Sequence, residues 1–235
     1  MVRNEMMYRP VVDKEVVEFM RKKQKPLDGK LGEIERQANK DGVPIIPHET
    51  VVFLNLLLGQ IKPKQILEIG AAIGFSSSLM SQHVGKDGHV TTIDRYDLMI
   101  QKARKNYEEL GLTDKVTLLE GQAADILATL DGPYDFIFMD SAKSKYYDFF
   151  PDCMRLLKVG GMLIVVDVLQ GGTILSPKED IPKNRRTIHR KLNAFLEVVM
   201  QHPSLESSIV PLGDGLLMVV KKEDTDFSFM VEDKE

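Results

Sequence analysis

Residues 66–76 read Ile-Leu-Glu-Ile-Gly-Ala-Ala-Ile-Gly-Phe-Ser, and this join constrains the fold more than any other stretch of the chain. The apolar, β-branched run at 65–69 predicts a buried strand and 75–83 has helical spacing, so Gly70 and Gly74 fall in the turn between them. A strand, a glycine turn and a helix N-terminus are the parts from which doubly wound sheets build ligand sites at the carboxyl ends of their strands. The spacing is G-x-x-x-G. A dinucleotide fold uses G-x-G-x-x-G, with the middle glycine making room for a pyrophosphate, and Ala72 stands at that place, which argues against a nicotinamide oxidoreductase. With no ligand, the same residues would form a tight strand-to-helix turn.

A second β-branched strand at 89–93 ends in Asp94, twenty residues beyond Gly74. A carboxylate there can accept both hydroxyls of a ribose, and the intervening helix with Gly85-Lys86-Asp87-Gly88 gives a crossover of suitable length. Asp97 offers the cap for the following helix, which leaves Asp94 for the ligand. Glu68, just before the loop, sits poorly beside phosphates but well beside a cationic ligand such as the sulfonium and amino group of S-adenosylmethionine.

At 235 residues, 43% of them hydrophobic and 28% charged, the chain can bury one core. A single domain is expected over 1–222, with an N-terminal helical cap at 1–60 and an α/β core at 61–222; the acidic, polar stretch 223–235 is expected to be disordered. No apolar stretch approaches the span of a bilayer and the N-terminus lacks a secretory pattern, so a cytoplasmic protein without a membrane partner is expected. The single cysteine, Cys153, excludes an intrachain disulfide and reads as packing. A net charge of −4 argues against non-specific coating of nucleic acid.

Val12, Val16, Phe19 and Met20 form an apolar face on a first helix, closed by Pro26 and Gly29 before a second helix at 31–41 and a third at 49–60. Then β and α alternate: strands near 65–69, 90–93, 116–119, 135–139 and 162–166, helices near 75–83, 97–110, 123–129 and 146–158. The alternation demands a mostly parallel sheet with helices on both faces. A helix near 184–201 leads to strands at 207–212 and 216–221, joined by Gly213-Asp214-Gly215, a hairpin signal. The fold class is therefore α/β: a Rossmann-like, doubly wound, mostly parallel seven-stranded sheet with a C-terminal antiparallel hairpin and extra N-terminal helices.

After the fourth strand, Asp140-Ser141-Ala142-Lys143 places an acid and a base-capable amine where a ligand would lie, so both are candidates for chemistry. As solvated loop charges and a helix cap they would do nothing, but the carboxyl end of a central strand favours function.

These residues resemble the cation-dependent class I O-methyltransferases, which include catechol and caffeoyl-CoA methyltransferases and bacterial tRNA 5-hydroxyuridine methyltransferases. The resemblance spans roughly 10–222. It rests on Leu-Glu-Ile-Gly-x-x-x-Gly-Phe-Ser at 67–76, Asp94, Gly121-Gln122-Ala123, Asp-x-x-Lys at 140–143 and Asp167-Val168-Leu169-Gln170-Gly171-Gly172. It implies that Ile46, Gly70, Ser76, Asp94, Gln122, Ala123 and Asp140 surround S-adenosylmethionine, with Glu68, Gly74 and Gly121 in the same loops. The stretch 140–146 and the ending Gly-Asp-Gly-Leu-Leu look most like the tRNA branch.

One departure stands out. The family writes Asp-Asn-Val-Leu-x-Gly-Gly after the fifth strand, whereas this chain has Val166 at the Asp position and Asp167 at the Asn position. Magnesium would then depend on Asp140 and Asp167, with water and acceptor hydroxyls as its remaining ligands. Methyl transfer is an in-line displacement that mostly needs alignment. Lys143 is expected to take the acceptor proton or to stabilise the oxyanion.

The cluster Lys183-Asn184-Arg185-Arg186-Thr187-Ile188-His189-Arg190-Lys191 follows the loop bordering the expected pocket. Its Arg185, Arg186 and Arg190, with Tyr146, are the expected acceptor contacts if the acceptor is tRNA, although a basic helix face is more often solvated surface. The leading expectation is methylation of wobble 5-hydroxyuridine to 5-methoxyuridine. The alternatives are a small catechol or phenol acceptor, or a non-catalytic S-adenosylmethionine-binding module. The amphipathic N-terminal helices suggest a homodimer.

Overall fold

The computed structural model describes residues 11–230. Helices α1 (Lys14–Lys23), α2 (Gly29–Asp41) and α3 (His48–Ile61) precede the sheet. Strands and helices then alternate as β1 (Gln65–Ile69), α4 (Phe75–Ser81), β2 (His89–Asp94), α5 (Asp97–Glu109), β3 (Val116–Glu120), α6 (Ala123–Thr129), β4 (Tyr134–Met139), α7 (Tyr146–Leu156) and β5 (Leu157–Val165). Helix α8 (Arg186–Gln201) leads into β6 (Leu205–Val210) and β7 (Leu216–Lys221).

The seven strands lie in the order β3-β2-β1-β4-β5-β7-β6. Strands β1 to β5 pair in parallel, and β7 inserts antiparallel between β5 and β6. This is the expected Rossmann-like sheet with its C-terminal hairpin. The winding reverses between β1 and β4, and such a switch point opens a crevice at the carboxyl ends of the strands.

Alternation along β1 explains the two-sided core. Leu67 and Ile69 join a cluster with Phe150, Leu192 and Phe195 of α7 and α8, whereas Ile66 joins one with Leu54, Leu58 and Leu79 of α3 and α4. Among the described residues no helix is long and apolar enough to cross a membrane.

Several boundaries differ from the sequence expectations. β5 begins at Leu157 rather than 162, because Leu157 already pairs with Tyr134 before a register shift on β4. The last hairpin pairs Val210 with Leu216, so its loop is five residues long; Pro211 has no N–H to extend the ladder. Asp97 is not a cap but lies in the first turn of α5, behind an N-cap at Tyr96.

The expected disorder of 223–235 is corrected for its described part. Phe227 and Met230 are buried, and the Phe227 ring stands edge-on to Phe150 at 5.2 Å, because these apolar side chains cover the end of α7 that the sheet leaves open. Residues 231–235, and the first ten residues of the expected cap, lie outside the described residues.

Candidate active site

The turn after β1 is shaped by its neighbours. The N–H groups of Gly70 and Ala71 donate to the carbonyl of Ile93, and that of Asp140 donates to Ile69, so the ends of β1, β2 and β4 are tied together. Gly70 has φ +107, and a Cβ there would lie 1.8 Å from the Asp140 carbonyl oxygen. A Cβ on Gly74, at φ +74, would lie 2.7 Å from the Tyr107 ring. Both glycines are thus required by close approach of the protein to itself, as well as by a turn that favours glycine.

Glu68 departs from its expected place beside a cationic ligand. It is fully buried, and the hydroxyls of Ser76 and Thr92 donate to its two carboxylate oxygens. It points to the α4 side of the sheet because period-2 alternation sets it opposite Leu67 and Ile69. Burial raises its carboxyl to about 7 despite those hydrogen bonds. Ser76 is also turned inward onto Glu68.

Asp94, at the carboxyl end of β2, is better placed. One oxygen accepts the N–H groups of Arg95 and Tyr96 at 2.7 and 2.9 Å, and the other accepts the N–H of Ala72 at 2.8 Å. Three N–H donors fix the carboxylate at the crevice while leaving it a lone pair. Gly121, whose N–H donates to the Asp94 carbonyl, and Gln122, the N-cap of α6 with Ala123 behind it, bring the end of β3 to the same rim.

Beyond β4 and β5 the charges converge. Lys143 Nζ lies 2.8 Å from Asp167 Oδ2, with both side chains about a quarter exposed. Asp140 is partly exposed at the end of β4, yet burial, reinforced by the Asp167 charge and opposed by Lys143, raises its carboxyl to about 7. Asp214, from the hairpin loop, accepts the N–H of Gly171; burial is the main cause that lifts its carboxyl to about 6. The sequence marks Asp214 only as a turn residue, since Gly-Asp-Gly between strands signals a hairpin whether or not its carboxylate has another use.

A cavity of about 320 Å³ opens beside Asp167. Val166 and Ile46 form apolar wall, Thr50 and Asp214 polar wall, and α1 closes the outer side with Val17 and Arg21. Its size is at the lower end for small-molecule sites.

The residues present do not fit a divalent cation of the expected kind. Val166 is 3% exposed within an apolar cluster and its side chain offers no lone pair, and Asp167 already holds the Lys143 ammonium. Among the described residues no three His, Cys, Asp or Glu side chains stand together in a way that could hold a metal.

The expected RNA contacts are corrected in part. Tyr146 is fully buried and packs on Phe195 with ring centroids 6.2 Å apart, because α8 covers the start of α7. The Arg186 guanidinium donates to the carbonyls of Ile181 and Glu179 and so clamps the loop before α8. Lys191 pairs with Asp148 at 3.0 Å, and Arg185 and Arg190 are engaged as well.

Comparison with known proteins gives the family of the chain. The O-methyltransferase family profile matches residues 23–222. A catechol O-methyltransferase of Mycobacterium tuberculosis is 32% identical over 161 residues, 67% of this chain and 70% of that protein. One of Niastella koreensis is 30% identical over 192 residues, 79% of this chain and 86% of that protein. The S-adenosylhomocysteine-bound methyltransferase PaMTH1 of Podospora anserina superposes with a TM-score of 0.79, covering 89% of this chain and 94% of that one at 23% identity, and so shares the fold. The chain belongs to the O-methyltransferase family, in its catechol and caffeoyl-CoA type, whose methyl donor is S-adenosylmethionine.

Proposed function

We propose that this enzyme methylates a hydroxyl of a small phenolic acceptor held in the cavity beside Asp167. The observation that carries the reading is the Lys143–Asp167 pair at 2.8 Å, because Asp167 itself lines a partly apolar cavity of about 320 Å³. S-adenosylmethionine, when bound, supplies a methyl group on a sulfonium. Asp94 would hold its ribose, and Gly121, Gln122, Ala123, Gly70, Gly74, Ile46 and Asp140 would border the cofactor. Glu68 and Ser76 support the loop from behind.

Asp140, whose carboxyl titrates near neutral pH, takes the acceptor proton. Lys143 stabilises the developing oxyanion as an ammonium. Asp167 holds Lys143 in place, and no step requires a divalent metal. The same reading includes a cytoplasmic homodimer, the dimer supported by Val16 and Phe19, exposed on α1.

Methylation of tRNA 5-hydroxyuridine is the second reading, favoured by the exposed Lys183 and Arg190 around the start of α8. The deciding assay is transfer of labelled methyl to catechol, to a caffeoyl-type phenol and to tRNA carrying 5-hydroxyuridine, each with and without chelator. Transfer to the phenols in chelator is expected, and transfer to tRNA alone would refute the proposal. In Lys143→Met, turnover should fall at least a hundredfold, the scale of one lost oxyanion donor, with cofactor affinity unchanged.

A further inference from the structure

Asp167 stands in a left-handed backbone conformation, φ +57, that few residues other than glycine, asparagine and aspartate adopt. Its neighbours fix the chain on either side of it. Val166 N–H donates to the Met139 carbonyl at 3.1 Å and Val168 N–H to that of Gly215 at 3.2 Å, so β4 and the hairpin loop hold the strained residue between them. Val166 thereby joins the apolar cluster of Ile46 and Ile164, while Asp167 reaches Lys143, which opens the short 3₁₀ turn Lys143–Lys145 ahead of α7.

One ammonium serves three carboxylates here. It contacts Asp167, and its charge acts on Asp140 and Asp214 as well. Acids from the ends of β4 and β5 and from the hairpin loop thus gather round a cation that is part of the chain.

The two kinds of cation select acceptors differently. A divalent ion with open positions binds two neighbouring hydroxyl oxygens at once, and the acceptor loses an anchor when one of them is missing. A lysine ammonium carries a single charge on a tethered stem, and one of its three N–H donors is already given to Asp167. It steadies one developing oxyanion. A second, neutral hydroxyl then gains no more than an ordinary hydrogen bond, worth less than about tenfold.

Resting on the small-acceptor reading, we propose that a single hydroxyl suffices for an acceptor: the enzyme methylates monohydroxylated aryl compounds as well as vicinal diols, because the Lys143 ammonium held by Asp167 fills the place of a chelating cation.

The test is kcat/KM for catechol and for phenol at saturating S-adenosylmethionine, measured in chelator and again with magnesium. In chelator, phenol should reach at least about a tenth of the catechol value, the limit set by one neutral hydrogen bond. A wider gap overturns the inference and leaves the small-acceptor reading standing. Magnesium should leave the ratio of the two values unchanged, and a rise for catechol alone would reveal a chelating ion and overturn the inference too.

Lys143→Met keeps an unbranched stem and removes the charge. Both values should fall by factors that agree within about threefold, since both oxyanions rest on the same ammonium; a larger disagreement places one acceptor on a different group and overturns the inference. Turnover of neither acceptor by the wild-type protein refutes the small-acceptor reading and this inference with it.

Discussion

The buried carboxylate under the glycine turn makes a quantitative prediction. Glu68 is fully buried, and its carboxyl is raised from 4.5 to about 7, with burial the largest cause. The folded protein therefore holds this proton more tightly than the unfolded chain. The contribution to stability is fully present below about pH 4.5 and is lost as pH rises through about 7. A shift from 4.5 to about 7, at about 1.4 kcal/mol per unit, corresponds to about 3 kcal/mol.

Glu68→Gln cannot ionise, and its amide can still engage the hydroxyls of Ser76 and Thr92, which accept as well as donate. Asp140 and Asp214 are raised in the same direction, so the wild-type curve alone would mix three groups. The difference between variant and wild type isolates Glu68. Urea unfolding of both proteins from about pH 5 to about pH 8.5 should show the variant gaining about 2–3 kcal/mol relative to wild type across that range. For a protein of this size the equivalent is roughly 4–12 °C in Tm. Parallel stability curves would refute the reasoning, since they would mean that Glu68 stays ionised in the folded protein throughout.

Two further outcomes follow from packing. Gly70→Ala puts a Cβ 1.8 Å from the Asp140 carbonyl oxygen, so β1 and β4 must separate where the crevice opens; cofactor affinity measured by calorimetry should fall at least tenfold even where the protein still folds. Phe227→Ala removes a ring buried on α7 and should cost about 3–5 kcal/mol in urea unfolding, whereas an unchanged midpoint would mean that the segment after β7 adds nothing to the core.

The sheet was legible because its signals are local. Strands buried on both faces read as apolar runs, glycine turns separate them from helical spacing, and the Gly-Asp-Gly stretch marks a reversal. Residues at strand ends could be assigned to the crevice for the same reason: Asp94, Asp140 and Lys143 follow apolar runs, and topology brings such positions together. The register shift on β4 and the five-residue hairpin loop were not legible, since pairing partners lie far apart in sequence.

The sequence by itself determined the α/β class, the glycine turn after β1 and the absence of an acidic side chain at Val166, since identity and spacing suffice for each. Only the tertiary structure decided where the side chains turn. Glu68 went into the core rather than the crevice, Tyr146 beneath α8 rather than toward an acceptor, and Asp214 to the cavity wall opposite Val17 of α1. Those outcomes depend on which of two faces a residue meets and on contacts between segments far apart in sequence, and no local pattern carries that information.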